Sequence, residues 1–245
     1  MPQRQNAEVH DVAELVTLDL PPPTFYVADL LPTTGVMLLY GSPKVRKSWL
    51  AQYFGYCIAT GTPFLGFGVT RAKVLMCQFE IGFFSYANRL RQMQTRHFRN
   101  LATGNYYEYS PGLMYINEDE NFAILLAKLR QINPKIVILD CMSACFGGDE
   151  NNGERMSEFI SRLEYIKQEF EASIILVHHT NKNLLASSSV DRARGHTKLT
   201  GYVDTLMFMA EQTNGTIQLQ TKSRQAINDV PAINIAFNDY NWLRR

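Results

Sequence analysis

Lys47 and Ser48 stand near the end of a nine-residue stretch, GSPKVRKSW from Gly41 to Trp49, whose residue types suit one piece of chemistry. A glycine, a spacer and then Lys-Ser is the spacing of a phosphate-binding loop. In such a loop the backbone N–H groups point at phosphate oxygens from a helix N-terminus. Lys47 would neutralise charge on the terminal phosphates, and the Ser48 hydroxyl would ligate Mg2+. The candidate nucleotide-binding stretch is therefore Gly41, Ser42, Pro43, Lys44, Val45, Arg46, Lys47, Ser48 and Trp49. One residue departs from the pattern, which has glycine where this chain has Arg46. Glycine takes backbone conformations that a Cβ disfavours, so an arginine there either strains the loop by about 1–3 kcal/mol or grips a triphosphate together with Lys44 and Lys47. The handicap is the favoured expectation, because Lys47 already fills the lysine position; it would slow hydrolysis without abolishing nucleotide binding.

Three other places carry groups that could work with this loop. KVLMCQFE (Lys73–Glu80) ends on Glu80, PKIVILD (Pro134–Asp140) on Asp140, and ASIILVHH (Ala172–His179) on His178 and His179. Asp140 would hold Mg2+ directly or through water. Glu80 would orient or deprotonate an attacking water. His178 would sense the terminal phosphate and pass its state to the polar segment that follows. Singly these features are weak: an aspartate after a strand often only caps a turn, and paired histidines are often structural. Their common position gives them weight. Each ends an apolar run, and in open parallel sheets ligands bind beyond the carboxyl ends of the strands.

The elements that must do the positioning are legible as short apolar runs separated by longer amphipathic segments. VMLLY (Val36–Tyr40), KVLMCQFE, PKIVILD and ASIILVHH read as strands buried on both faces. SWLAQYFGYCIA, FFSYANRLRQMQTRHF, ENFAILLAKLRQI and the span from Asn151 to Glu171 read as helices, the last started by a polar cluster able to cap it. Gly104 to Gly112 reads as a loop, and Thr180 to Gly195 has neither period. TLMFMAEQ and TIQLQTKSR flank Asn214-Gly215 and read as a β-hairpin, with AINIAF as one more strand. The order predicts an α/β fold: one doubly wound, mostly parallel sheet flanked by helices, with antiparallel strands at the C-terminal end. Residues 1–24, polar and then proline-rich at Pro21, Pro22 and Pro23, read as an N-terminal arm, and residues 25–245 as the single domain.

Bulk properties exclude little else. The 245 residues are 46% hydrophobic, enough for one core, and no apolar run is long enough to span a membrane. The N-terminus lacks the apolar core of a secretion signal. Cys57, Cys77, Cys141 and Cys145 sit in apolar surroundings without the spacing of a zinc pattern, and read as reduced packing residues of a cytoplasmic protein. The net charge of +1 gives no global basic field, though a ring around DNA needs positive charge only on the loops that line its hole.

The segments GVMLLYGSPKVRKSWLA, VLMCQFE, IVILDCMSACFGGDEN, IILVHHTNK, ARGHTKLTGYVD and TKSR, in that order, resemble the RecA-fold P-loop ATPases. Within them the chain looks like the plasmid RepA-type hexameric replicative helicases and their AAA-type relatives, over roughly Phe25 to Arg224. The resemblance implies a RecA-like ATPase domain using ATP and Mg2+. It implies Glu80 as the catalytic glutamate, Asp140 as the Walker B residue, and His178 as the residue coupling nucleotide state to DNA. It also implies that Lys222 and Arg224 reach into a neighbouring subunit's site in a homo-hexameric ring, where a guanidinium would steady charge on the transferred phosphoryl group. The implied partners are single-stranded DNA and a replication initiator or primase.

DNA would meet Lys182, Arg192, Arg194 and Lys198, a basic segment that starts just past His178 and would hold the phosphate backbone without reading sequence. Two function classes stand: an ATP-driven, ring-forming helicase of a plasmid or similar element, acting in DNA replication, or a nucleotide-binding RecA-fold regulator, loader or scaffold without unwinding activity.

Overall fold

Four runs with almost no polar interruption form the centre of one sheet, because a strand covered on both faces needs apolar side chains on both. The structure is a computed structural model and describes residues 9, 11–17, 19, 22–94, 104–179, 197–226, 230–238 and 241–244. Its elements, in chain order, begin with α1 (Val12–Leu15), β1 (Phe25–Val27), β2 (Leu31–Pro32), β3 (Val36–Gly41), α2 (Lys47–Thr60), β4 (Val74–Gln78) and α3 (Phe83–Gln94). They continue through β5 (Tyr106–Tyr109), α4 (Asp119–Ile132), β6 (Ile136–Asp140), α5 (Met142–Cys145), α6 (Gly153–Phe170) and β7 (Ser173–His179). The chain closes with α7 (Thr197–Tyr202), β8 (Thr205–Glu211), β9 (Ile217–Ser223), β10 (Ile233–Asn238) and β11 (Asn241–Arg244).

The nine-stranded sheet has the order β11-β10-β9-β8-β3-β7-β6-β4-β5. From β8 across to β5 neighbouring strands run parallel. Beyond β8, strands β9, β10 and β11 are antiparallel. Every residue of β3, β4 and β6 is buried. Connections between parallel strands are right-handed, so the direction in which each moves along the sheet selects the face its helix covers. The moves from β3 to β4 and from β4 to β5 go one way and put α2 and α3 on one face. Those from β5 to β6, β6 to β7 and β7 to β8 go the other way and put α4, α6 and α7 on the opposite face, where α6 packs on both α4 and α7. The reversals between β3 and β7, and between β4 and β6, open crevices at the carboxyl edge.

Local chemistry sets the helix ends. Asn152 caps α6 by accepting from the backbone N–H groups of Glu154 and Arg155. Gly61, at φ 75°, ends α2 in the left-handed conformation that glycine takes without strain. Within α2, a Cβ on Gly55 would meet Ile138 Cδ1 at 2.9 Å, so glycine lets this helix lie close on β6.

The expected doubly wound order, the hairpin around Asn214-Gly215 and the late antiparallel strands are all present. Three expectations need correction. The span expected as a loop from Gly104 to Gly112 contains strand β5, half-buried along its length and paired to β4. Strand β4 ends at Gln78, so Glu80 stands in the following bend rather than on the strand end. The first strand of the C-terminal hairpin, β8, joins β3 in parallel before the antiparallel set begins. The four cysteines are free and buried, as expected. No helix among the described residues is long and apolar enough to cross a membrane.

Candidate functional site

β3 delivers Gly41 to the carboxyl edge of the sheet, where a Cβ on it would meet the Met209 carbonyl oxygen of β8 at 2.4 Å. Only glycine fits between these strands. The loop then turns through two non-glycine residues at positive φ, Lys44 and Arg46, both at 67°. Arg46 is the N-cap of α2, with ψ 30°, and makes no side-chain capping bond. Arginine therefore occupies the left-handed conformation that the glycine of the pattern would take freely. Its guanidinium does not turn into the loop; it lies over the Phe237 ring of β10, 5.2 Å from the centroid. Trp49 packs on the same ring at 5.4 Å, and the Arg89 guanidinium lies over the Trp49 ring.

Lys47 is buried and folds back along the loop, donating from Nζ to the carbonyls of Gly41 (2.9 Å) and Ser42 (2.7 Å). Burial pushes its ammonium pKa down to about 8, against the opposing pull of Asp140, Cys141 and Glu80. Ser48 Oγ donates to Asp140 Oδ1 at 3.0 Å, and the Gln78 side-chain amide donates to the other carboxylate oxygen. Burial raises the Asp140 carboxyl to about 6, even though both of these bonds favour the ionised form. A hydroxyl and a buried carboxylate in contact are hard oxygen ligands of the kind Mg2+ takes. Among the described residues no basic group makes an ion pair with Asp140, so a cation there would supply the missing positive charge. The residues present fit that ion.

Strand register separates the two histidines. Asp140 is level with Val177, so His179, two residues on, points to the same face as Asp140, and His178 to the other. His179 Nε2 lies 3.7 Å from Glu80 Oε2, while His178 Nε2 lies 3.7 Å from Glu150 Oε2. Burial, and then the charge of Lys47, lower the His179 pKa. Cys141, directly after Asp140, donates from Sγ to Glu80 Oε2 at 3.5 Å. Lys47, Ser48, Asp140, Glu80 and His179 thus gather at one edge, with His178 behind them.

Lys222 and Arg224 lie elsewhere. β9 runs antiparallel to β8, which puts Ser223 level with Thr205 and Thr205 level with Met37 at the start of β3. Met37 to Gly41 is about 13 Å of strand rise. The pair therefore sits toward the opposite edge from the chain's own loop, where Arg224 donates to the Gly201 carbonyl. Of the expected DNA contacts, Lys182, Arg192 and Arg194 lie outside the described residues. Lys198 is exposed and donates to the Gly153 carbonyl (2.8 Å) and Ser157 Oγ (3.1 Å) of α6.

Three residues escaped the sequence reading of the site. Gln78 carries a signal in its position two before Glu80, on the strand neighbouring Asp140. Cys141 and Glu150 become site residues only through register and turns, and His179, expected beside His178 without a role of its own, is placed on the Asp140 face by register.

A sequence model of the AAA domain family matches residues 2–184. No curated protein sequence matches the chain. Among solved structures it resembles the KaiC-like protein of the hyperthermophilic archaeon Pyrococcus horikoshii OT3, with a TM-score of 0.62 and 13% identity. That match covers 87% of this chain and 90% of the other, and at this identity it speaks for the fold, which is RecA-like.

Proposed function

The chain belongs to the AAA domain family, and we propose that within it this protein is an ATP-dependent, ring-forming DNA helicase or translocase working on single-stranded DNA in replication. The observation that carries the nucleotide part is the contact of Ser48 with Asp140 beside the buried ammonium of Lys47. Ser48 and Asp140 would hold Mg2+, which would supply positive charge against the phosphates of ATP. Lys47 leaves the carbonyls of Gly41 and Ser42 to meet the phosphates, whose negative charge favours the protonated amine. Gln78 holds the Asp140 carboxylate in orientation. Glu80 is exposed, and its carboxylate, which accepts from Cys141 Sγ at one oxygen, would take a proton from water. His178, bridging toward Glu150 at the start of the span leading into α6, would relay occupancy to the basic segment after β7.

The reading of a ring draws on the opposite edge of the sheet. Lys222 and Arg224 stand too far from their own loop to serve it, so a phosphate within their reach would belong to another copy. Closed rotational symmetry would repeat that contact around a hexamer.

A second reading, a nucleotide-binding regulator, loader or scaffold without unwinding, draws on Arg46 in place of glycine and on Lys47 bonded to the loop's own carbonyls. Turnover of ATP with and without single-stranded DNA, strand displacement, and mass by light scattering separate the two. The helicase reading expects a ring, DNA-stimulated hydrolysis and displaced strand. Nucleotide binding with an assembly but neither hydrolysis nor displacement supports the second reading and rejects the first.

A further inference from the structure

Outside the phosphate loop, three donor atoms of three different chemistries converge at the ends of neighbouring strands. Glu80 Oε2 lies 3.5 Å from Cys141 Sγ and 3.7 Å from His179 Nε2. All three donors fall within 4.8 Å of one another. Four-coordinate Zn2+, with bonds of about 2.3 Å to sulfur and about 2.0–2.1 Å to nitrogen or oxygen, holds such donors about 3.3–3.5 Å apart. Closing the set around one ion asks for side-chain movements of at most about 1.5 Å. We propose that Glu80, Cys141 and His179 form a binding site for a thiophilic divalent cation such as Zn2+, with the fourth position left to water.

Three observations support it. Both ring nitrogens of His179 are shielded from water and make no hydrogen bond among the described residues, and a shielded polar atom without a partner costs free energy that a ligand removes. The supports are stiff, since Cys141 and His179 leave β6 and β7, which are paired to each other inside the sheet. Glu80 is exposed, giving an ion a way in from solvent, while Cys141 is 1% exposed and sits at the closed end. The donor set also separates this site from the one at Ser48 and Asp140. Thiolate and imidazole select zinc-like ions, whereas hydroxyl and carboxylate suit Mg2+. On binding, the Cys141 thiol gives its proton to solvent and the sulfur donates its electron pair to the ion; nothing is oxidised or reduced.

An occupied site would engage the Glu80 carboxylate and withdraw it from water, so the ion would oppose hydrolysis. That consequence, unlike the binding itself, rests on the role proposed above for Glu80.

Cobalt serves as the probe, because it substitutes for zinc and reports its ligands. The full chain, freed of metals and kept reduced, is titrated with Co2+ and then challenged with Zn2+. The expected result is a thiolate-to-cobalt charge-transfer band with the strong visible bands of a tetrahedral ion, lost on adding Zn2+. The charge-transfer band should vanish in Cys141→Ser, and cobalt affinity should fall at least about tenfold in His179→Gln. Cys57, Cys77 and Cys145 lie within the core and should contribute no signal. A pale octahedral spectrum in the parent, or an unchanged band in a folded Cys141→Ser, overturns the site. Should Cys141→Ser fail to fold, unchanged cobalt affinity in both His179→Gln and Glu80→Gln overturns it equally. Cobalt binding with undiminished ATP turnover supports the site and counts against Glu80 in hydrolysis. A chain without turnover that still shows the spectrum supports the site alone.

Discussion

Replacing Arg46 by glycine and, separately, by alanine divides its effect into backbone and side-chain parts. A left-handed residue with a Cβ costs about 1–2 kcal/mol, and Arg46 holds φ 67° and ψ 30°. A loop that keeps this conformation on binding places the strain in folding stability rather than in affinity. Arg46→Ala keeps the strain and removes the stacking on Phe237, worth about 0.5–1 kcal/mol at an exposed site. For a chain of this length that lowers Tm by about 1–4 °C. Glycine relieves the strain but gains freedom in the unfolded chain worth about 0.5–1 kcal/mol, so Arg46→Gly should lie at or above Arg46→Ala and within about 4 °C of the parent. ATP affinity should change by less than about threefold in Arg46→Gly, because three-fold corresponds to under ~1 kcal/mol and the guanidinium lies over a ring rather than in the loop. Thermal melts and nucleotide titration of the three proteins are the assay. A tenfold tighter glycine variant would mean that the loop must leave its present conformation to bind. A tenfold weaker one would mean that the guanidinium swings to the phosphates. Either result refutes the reasoning.

The other expectations follow from the same site. Lys47→Met should abolish ATP binding yet leave the apo protein at least as stable near pH 7, since an ammonium shifted from 10.5 to about 8 is held at a cost of roughly 3 kcal/mol. Because the folded-state pKa is the lower one, the unfolded chain binds more protons between about pH 8 and 10.5, and stability gains a rising contribution there. Denaturant melts across that window should show the contribution in the parent and not in Lys47→Met. Glu80→Gln should bind ATP like the parent and lose turnover, measured by phosphate release; equal turnover rejects its role with water. Mixing inactive Arg224→Ala with inactive Lys47→Met subunits should recover some turnover where an intact arginine faces an intact loop, and silence in assemblies shown to be mixed rejects action between subunits.

The central strands, the helices between them and the phosphate loop were readable from the chain alone because their causes are local. VMLLY, and IVIL within PKIVILD, run without a charged residue, and such runs have few homes other than a doubly covered strand. Asn214-Gly215 announces its own hairpin. Strand β5 was hidden because YYEY carries no clean alternation, and it becomes a strand by hydrogen bonding to β4 at the sheet edge. The choice between adjacent histidines was equally beyond local pattern. Whether His178 or His179 shares a face with Asp140 depends on the register of β7 against β6, and a slip of one residue would exchange them. The same holds for Cys141, 61 residues from Glu80 in sequence and 3.5 Å from it in space. It also holds for Arg46, whose substitution for glycine was visible at once but whose destination over Phe237 was not. Residue type and spacing determined which chemical groups were available; tertiary structure decided which of them meet, because register and strand order set distances between segments that sequence separation does not encode.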